Sequence, residues 1–374
     1  MVALHATNYV SRIYSFLIIM PAAKFSNVRI AGIHSTVGNV KRFLDEDLDL
    51  FGGNQDQLNR VRKAIGLDRR CVVDSNTTAL DLCRQSARVL MKRLELDSDQ
   101  IDGVIFVTQT PDHFQPCNAA ILHGQLGLPP TAAAFDLNLG CSGYVYGMYV
   151  AHSLLTAGGC QRILVLAGDT MSRCVNPRDR SVAILFGDAG SATILERCEM
   201  KNYSWFAVHS DGSKCDTIII PGGAFRLPSS EATAIETTDA DGNTRSKDNL
   251  VMDGAEVFNF SIGVEPASIR EILEFSEHSV DQIDAIVFHQ ANRYIISNIA
   301  RRLKLPLDKA PCATVGKYGN QSSASIPVTI CDALREGTSN QTLVLSGFGV
   351  GLSWASGLVK LADCELCEIE EYTA

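Results

Sequence analysis

The sequence predicts an α/β fold made by duplicating one α/β unit, and three observations predict it. Strand-like apolar runs alternate with helical patterns along most of the chain, which implies parallel pairing in a sheet covered on both faces. Next, 29 residues starting at Gly140 (GCSGYVYGMYVAHSLLTAGGCQRILVLAG) recur without a gap 179 positions later, from Gly319 (GNQSSASIPVTICDALREGTSNQTLVLSG). Seven positions are identical: Gly140/Gly319, Leu155/Leu334, Gly158/Gly337, Leu164/Leu343, Val165/Val344, Leu166/Leu345 and Gly168/Gly347. Finally, DQIDGVIF at 99–106 reads like DQIDAIVF at 281–288, an offset of 182. Such a period is far too long for a solenoid, so whole units are repeated.

The elements follow in order. An alternating strand pattern begins at Val28. Residues 75–94 form an amphipathic helix capped by Ser75 or Thr77, with Leu80, Leu82, Cys83, Ala87, Leu90, Met91 and Leu94 at helical spacing. Buried strands follow over 102–108 and 132–137. A helix over about 142–156 ends at Gly158-Gly159, and 162–167 is the next strand. Residues 181–195 read as a turn-separated strand pair. The polar stretch 221–250 reads as a surface excursion between the halves, over an active-site mouth. Residues 265–276 are helical, 285–288 a strand, 294–303 a helix and 343–346 a strand. A glycine-rich turn, Gly347-Phe348-Gly349-Val350-Gly351, precedes a closing strand over 352–361. The expected division is an extension at 1–24, a first half at 25–198 and a second at 199–374.

The bulk numbers narrow the class. The chain has 374 residues, 46% hydrophobic and 20% charged, enough for two domain-sized units and a large core. A net charge of −9 argues against a general nucleic-acid binder. Twelve scattered cysteines without a convincing export signal point to free thiols in a reducing compartment, here the cytoplasm. Cys364 and Cys367 form the CxxC pair, but no second pair accompanies it, so no metal site is expected. Residues 1–24 read as an extension or annotation artefact, a docking arm or a targeting segment. Their apolar run is too short for a membrane span, and no other stretch reaches that length.

The repeat places Asn320 where the first copy has Cys141. Cys141 lies between a strand and a helix, where a helix N-terminus is expected to lower a thiol's pKa. Gly140 and Gly143 allow a tight elbow around it. A cysteine more often simply packs; the elbow and the Asn320 match argue for a nucleophile. His289 ends a buried strand in FHQAN, and Gln290 and Asn292 make that strand end polar. A thiol with two neutral donors suits thioester chemistry, in which an acyl group sits on sulfur and an enolate oxygen needs stabilising.

Cys141 at its elbow, His289 in HQAN, Asn320 in GNQSSAS and the closing GFGVGLSW together resemble the ketoacyl-ACP synthase III family of the thiolase-like superfamily, over about residues 25–362. The resemblance implies a duplicated βαβαβαββ unit in five layers, αβαβα, as a homodimer. It implies that Cys141 accepts an acyl group from a thioester and that His289 and Asn320 stabilise the carbanion left when malonyl-ACP loses CO2. The Cys141 and Val350 N–H groups would form the oxyanion hole. No metal or redox cofactor is implied; the substrates are CoA or ACP phosphopantetheine thioesters. Arg180 matches an arginine near the nucleotide and Asn292 the tunnel-mouth asparagine. The stretch 60–67 (RVRKAIGL) lacks the family's tryptophan, which weakens the case for a CoA donor. Phe114 and Gln115 fall where the family reaches toward the partner's acyl pocket, and a polar Gln115 favours a short or functionalised acyl group. Arg293, Arg301, Arg302 and Lys304 form a basic face suited to an acidic carrier protein. Two competing readings are an acyltransferase passing the acyl group to a hydroxyl or amine, and a non-catalytic partner subunit of a synthase pair. Retention of His289 and Asn320 favours condensation, and an intact Cys141 argues against the scaffold. The departures point to a specialised pathway as much as to fatty-acid initiation.

Overall fold

The computed structural model describes residues 22–336 and 340–374. Most of the expected extension, and Gly337 of the repeat, lie outside them. In chain order the strands are β1 (Ala22–Ser26), β2 (Val28–Val37), β3 (Val40–Phe43), β4 (Arg69–Val72), β5 (Gly103–Val107), β6 (Ala133–Leu137), β7 (Arg162–Asp169), β8 (Ala189–Arg197), β9 (Tyr203–Ser210), the two-residue strands β10 to β13 within 218–252, β14 (Ala285–Phe288), β15 (Asn340–Gly349), β16 (Ser353–Ala362), β17 (Glu365–Leu366) and β18 (Glu370–Glu371). The helices are α1 (Gln55–Ile65), α2 (Ala79–Arg93), α3 (Asn118–Gln125), α4 (Gly143–Ala157), α5 (Gly254–Ser276), α6 (Arg293–Leu303), α7 (Thr314–Tyr318) and α8 (Ser325–Ala333).

Two sheets carry the duplication. One contains β2-β8-β7-β5-β6 and the other β9-β16-β15-β14. In the first, β5 and β7 are parallel while β7–β8 and β8–β2 are antiparallel. The second repeats this, with β14–β15 parallel and β15–β16 and β16–β9 antiparallel.

Alternation along the strands sets five layers, because successive side chains point to opposite faces. Val104 and Phe106 pack outward on Leu80, Cys83 and Leu90 of α2. Ile105 and Val107 point inward, to a core shared by Val145 and Met148 of α4 and Ile326 and Ile330 of α8. Val287, Leu343 and Leu345 meet that core from the other sheet. Ile286, Phe288 and Val344 pack outward on Ile269 and Ile272 of α5 and Ile295 and Ile299 of α6. The order is therefore α2/α3, sheet, α4/α8, sheet, α5/α6.

Several expectations are corrected. Helix α2, expected over 75–94, is capped by Thr78, with Asp81 completing a capping box, rather than by Ser75 or Thr77; Asp74 holds Asn76 and Thr77 in a preceding turn. Residues 181–195 are not a strand pair. Asp179 captures the Ser181 N–H and hydroxyl, and its carbonyl takes the Ala183 N–H, so 181–185 turn and only β8 is a strand. Helix α5 begins at Gly254, well before residue 265, because Asp253 accepts from the Ala255 and Glu256 N–H groups. Strand β9 had no predicted counterpart. Strand β15 continues to Gly349, so only the end of the glycine-rich run is a turn. Between α6 and α8 the described residues contain no counterpart of β6; that stretch forms α7 and the turn bearing Asn320. Strand β1 begins at Ala22, inside the expected extension, and pairs with β9 in the second sheet. Conversely, β17 and β18 return to β2 of the first. Each terminus covers an otherwise open sheet edge of the opposite half.

Candidate active site

The elbow forms because strand, turn and helix approach closely. A Cβ on Gly143 would lie 2.4 Å from Val107 Cγ1, and one on Gly347 2.8 Å from the Cys141 carbonyl oxygen. Ser142 sits at the α4 N-cap, and its hydroxyl pairs with Ser353 Oγ at 2.7 Å. Ser353 in turn donates to the Val350 carbonyl at 2.8 Å, which ties the closing turn to the elbow. A Cβ on Gly349 would lie 2.7 Å from the Cys141 sulfur.

Cys141, His289 and Asn320 line one cavity of about 640 Å³, together with Asn138, Asn292 and Val350. Two halves of the chain, far apart in sequence, thus present a thiol, an imidazole and a carboxamide to the same space. The excursion forms part of its wall through Gly222, Gly223, Ala224, Ser229 and Asp248. Much of the remaining wall is apolar, with Ile218, Leu250, Met252, Val257, Ile295 and Phe348.

The thiol contradicts one expectation. Burial pushes the Cys141 pKa up, to about 11, and the nearby Asp169 charge adds to this. Hydrogen bonding from the Val350 and Cys141 backbone and the Ser322 side chain opposes the shift without reversing it. The helix end is present, but desolvation at the junction of the halves outweighs it. Those backbone contacts put Val350 and Cys141 N–H beside the sulfur, where the oxyanion hole was expected.

His289 is 1% exposed, and burial holds its pKa down near 3, so the ring is neutral. Its Nδ1 lies 2.7 Å from Ser325 Oγ, and its ring meets Phe348 edge-on at 5.6 Å. Ser325 Oγ also accepts the Gln290 N–H at 3.3 Å, which fixes the hydroxyl beside the ring. Asn320 is oriented by its own turn: its Oδ1 accepts the Ser322 N–H at 2.9 Å, so the NH2 group remains as donor. Ser322 adopts φ 49°, a left-handed conformation that non-glycine residues rarely take. The Asn320 backbone is anchored to the first half, donating to the Leu185 carbonyl (2.9 Å) and accepting from Gly187 N–H (3.0 Å).

Asp169, at the end of β7, was not singled out by sequence. It is fully buried and crosses between the halves. Oδ1 accepts from Gln109 N–H at 2.7 Å, and Oδ2 from Ser323 N–H at 3.1 Å and Ser323 Oγ at 2.7 Å. Burial pushes its pKa up, against these donors. A polar residue ending the apolar run RILVLAGD was the available signal.

Other predicted residues lie at varied distances from this centre. Asn292 lines the cavity and caps α6 through the Ile295 N–H, at 2.9 Å. Arg180 is not among the residues lining the cavity; its guanidinium lies over the Phe51 ring at 5.6 Å. Phe114 and Gln115 line a second cavity, and the Phe114 ring meets Phe225 of the excursion at 5.4 Å. Arg293, Arg301, Arg302 and Lys304 are all exposed on α6 or at its C-cap. Arg302 is tied to the Ile262 carbonyl at 2.8 Å and Arg301 to Asn298 at 3.1 Å.

Comparison with known proteins agrees with this geometry. Residues 135–212 match the family described as 3-oxoacyl-[acyl-carrier-protein (ACP)] synthase III, and residues 273–361 match its C-terminal counterpart. A Campylobacter jejuni protein, provisionally named a 3-oxoacyl-[acyl-carrier-protein] synthase 3, is 38% identical over 353 residues, covering 94% of this chain and 98% of its own. A β-ketoacyl-[acyl-carrier-protein] synthase III of Clostridium perfringens is 36% identical over 308 residues, 80% of this chain and 90% of its own. The crystal structure of a 3-oxoacyl-(acyl-carrier protein) synthase from Burkholderia xenovorans superposes with a TM-score of 0.87 at 35% identity, covering 94% of this chain and 99% of that one.

Proposed function

The chain belongs to the 3-oxoacyl-[acyl-carrier-protein] synthase III family, and from that membership we propose that it catalyses a decarboxylative Claisen condensation through Cys141. The observation that carries the reading is the convergence of Cys141, His289 and Asn320 on one cavity. In the first half-reaction the Cys141 sulfur bonds to the acyl carbon of a thioester. The carrier's C–S bond breaks, and the thiol proton ends on the departing carrier thiol. A malonyl thioester on an acyl carrier protein then enters. Its C–C bond to the carboxylate breaks, CO2 leaves, and the electron pair is held as an enolate. Nε2–H of His289 and the Asn320 amide donate to the enolate oxygen. The carbanion attacks the acyl carbon, the Cys141 C–S bond breaks, and the thiolate takes a proton from solvent. A 3-ketoacyl thioester results.

Backbone N–H groups of Cys141 and Val350 receive the oxyanion of both tetrahedral intermediates, each such donor being worth about 3–4 kcal/mol in comparable sites. Loss of CO2 drives the sequence, so the balance closes without an electron carrier. The exposed Arg293, Arg301, Arg302 and Lys304 would receive the acidic carrier protein near the Asn292 side of the cavity. A homodimer in the cytoplasm completes the reading.

Intact-protein mass spectrometry with acyl-CoA and acyl-ACP donors, followed by CO2 release from malonyl-ACP, tests it. Cys141→Ala takes up no acyl group, whereas Asn320→Ala is acylated but releases little CO2. Equal acylation of the Cys141→Ala protein would remove the nucleophile, and an unimpaired Asn320→Ala protein would remove the enolate site.

A further inference from the structure

The condensation just proposed poses a spatial problem. The malonyl arm must enter the 640 Å³ cavity while Cys141 already carries its acyl group. The acyl group therefore needs a place outside the path of the arm. A second cavity, of about 790 Å³, adjoins the first, and Gln109 lines both. Gln109 stands against the elbow: a Cβ on Gly140, the residue before the nucleophile, would lie 2.0 Å from its Oε1.

The two cavities differ in chemistry. Where the first is lined largely by aliphatic side chains, the second is lined by Thr78, Thr110, Asp112, His113, Thr170 and Arg173, with Pro111 and Phe114 as its apolar members. Several of these groups are already engaged within the chain: Thr78 Oγ1 with Asp112 at 3.2 Å, Thr110 Oγ1 with the Thr170 N–H at 2.9 Å, and Arg173 with the Thr77 carbonyl at 3.2 Å. The carboxamide of Gln109 makes no hydrogen bond to any described residue; only its backbone N–H is held, by Asp169. A plain alkyl group here would strip water from that amide and return nothing, whereas a hydroxyl would pair with it.

We infer that the second cavity receives the acyl group on Cys141 and selects acyl groups with a hydroxyl or similar hydrogen-bonding substituent near the thioester, Gln109 being the residue that reads it. This rests on Cys141 being the acylated residue.

The test uses the full-length protein with butyryl and 3-hydroxybutyryl thioesters of the same carrier, in competition, and reads the two adduct masses on Cys141. The wild-type protein is expected to favour the hydroxyacyl donor by about tenfold or more. In Gln109→Leu that ratio collapses toward one or inverts, and in Gln109→Asn, a milder change, it falls between. A wild-type preference for butyryl, equal loading of both donors, or an unchanged ratio in the variants would overturn the inference. Because acylation is read without malonyl-ACP, the outcomes separate. Loading without selectivity defeats only the inference, whereas absence of any adduct removes Cys141 and the inference together. Loading with selectivity but without CO2 release defeats only the condensation.

Discussion

Replacing Asp169 by Asn isolates the contact that joins the nucleophile's half to the enolate site. The carboxylate lies outside the cavity wall but receives Ser323 N–H at 3.1 Å and Ser323 Oγ at 2.7 Å through one oxygen. Ser323 is next to Ser322, whose N–H orients the Asn320 amide. An Asn at this position keeps one acceptor. If that oxygen stays with the Gln109 N–H, the new NH2 faces the Ser323 N–H, donor against donor. Leaving a buried backbone N–H unpaired costs about 1–3 kcal/mol. If half of that appears as displacement of the Asn320 turn in the transition state, decarboxylation slows by about 2- to 12-fold, since about 1.4 kcal/mol is a factor of ten. Acyl transfer to Cys141 does not use Asn320, and removing the Asp169 charge eases ionisation of the thiol, so its rate should not fall. The assay is a split: adduct formation on Cys141 in a single turnover, against CO2 release from malonyl-ACP by the preloaded enzyme. Asp169→Glu, which retains the charge but lengthens the arm, serves as a second variant. A variant in which both rates fall together reports a general loss of structure. One in which both match the wild type shows that Asp169 does not position Asn320.

Three further outcomes are expected. Gly349→Ala places a Cβ 2.7 Å from the Cys141 Cβ and sulfur at a φ of 155° that side chains rarely adopt, so acylation should fall by about 100-fold and the melting temperature should drop with it; normal adduct formation would show that the elbow yields. Glu265 is fully buried against Ser346, and burial raises its pKa from 4.5 to about 8, so between those values the unfolded chain ionises while the folded one does not. Stability should therefore decline as pH rises through that window, and Glu265→Gln should flatten the decline by on the order of 2 kcal/mol in denaturant midpoints at pH 5 and 8; parallel curves would contradict it. Arg245→Ala strips the 2.7 Å partner from Asp179, whose side chain is 1% exposed, which should cost about 3 kcal/mol and open 221–250 to limited proteolysis; an unchanged digest would show that the excursion is held elsewhere.

What the sequence showed was whatever repeats or alternates. Val104/Phe106 against Ile105/Val107 is a period of two that survives into the layers. Cys141 and Asn320 lie on one cavity because each precedes one of the two equivalent central helices, α4 and α8, which share a core between the sheets. The failures have a common cause. Residues 182–185 form a short apolar run like a buried strand, but a local Asp179 side chain offered the backbone there a better partner. Termini that exchange sheets leave no periodic trace, because edge pairing is decided by which edge is open. Gln109 and Asp169 matter through contacts 60 and 154 residues away in the chain, and nothing in their immediate neighbours shows that. The thiol shift failed for a similar reason. A helix N-terminus is a local feature, visible in sequence, whereas desolvation depends on everything that closes around the sulfur.

That closure bears on how the same residues serve two half-reactions. A thiolate–imidazolium pair would hold the nucleophile ready, but it would also place a full proton next to the carbanion generated later. Here burial depresses His289 to near 3 and raises Cys141 to about 11, so both stay uncharged at rest. A neutral imidazole polarises an enolate oxygen without surrendering its proton, as a carboxamide does. The cost falls on the first half-reaction, where the thiol must lose its proton as the acyl group arrives. The gain falls on the second, where a carbanion between two neutral donors survives long enough to find the acyl carbon. In the proposed mechanism, burial of His289 and partial burial of Cys141 at the seam of the duplicated fold favour carbon–carbon bond formation over protonation of the intermediate.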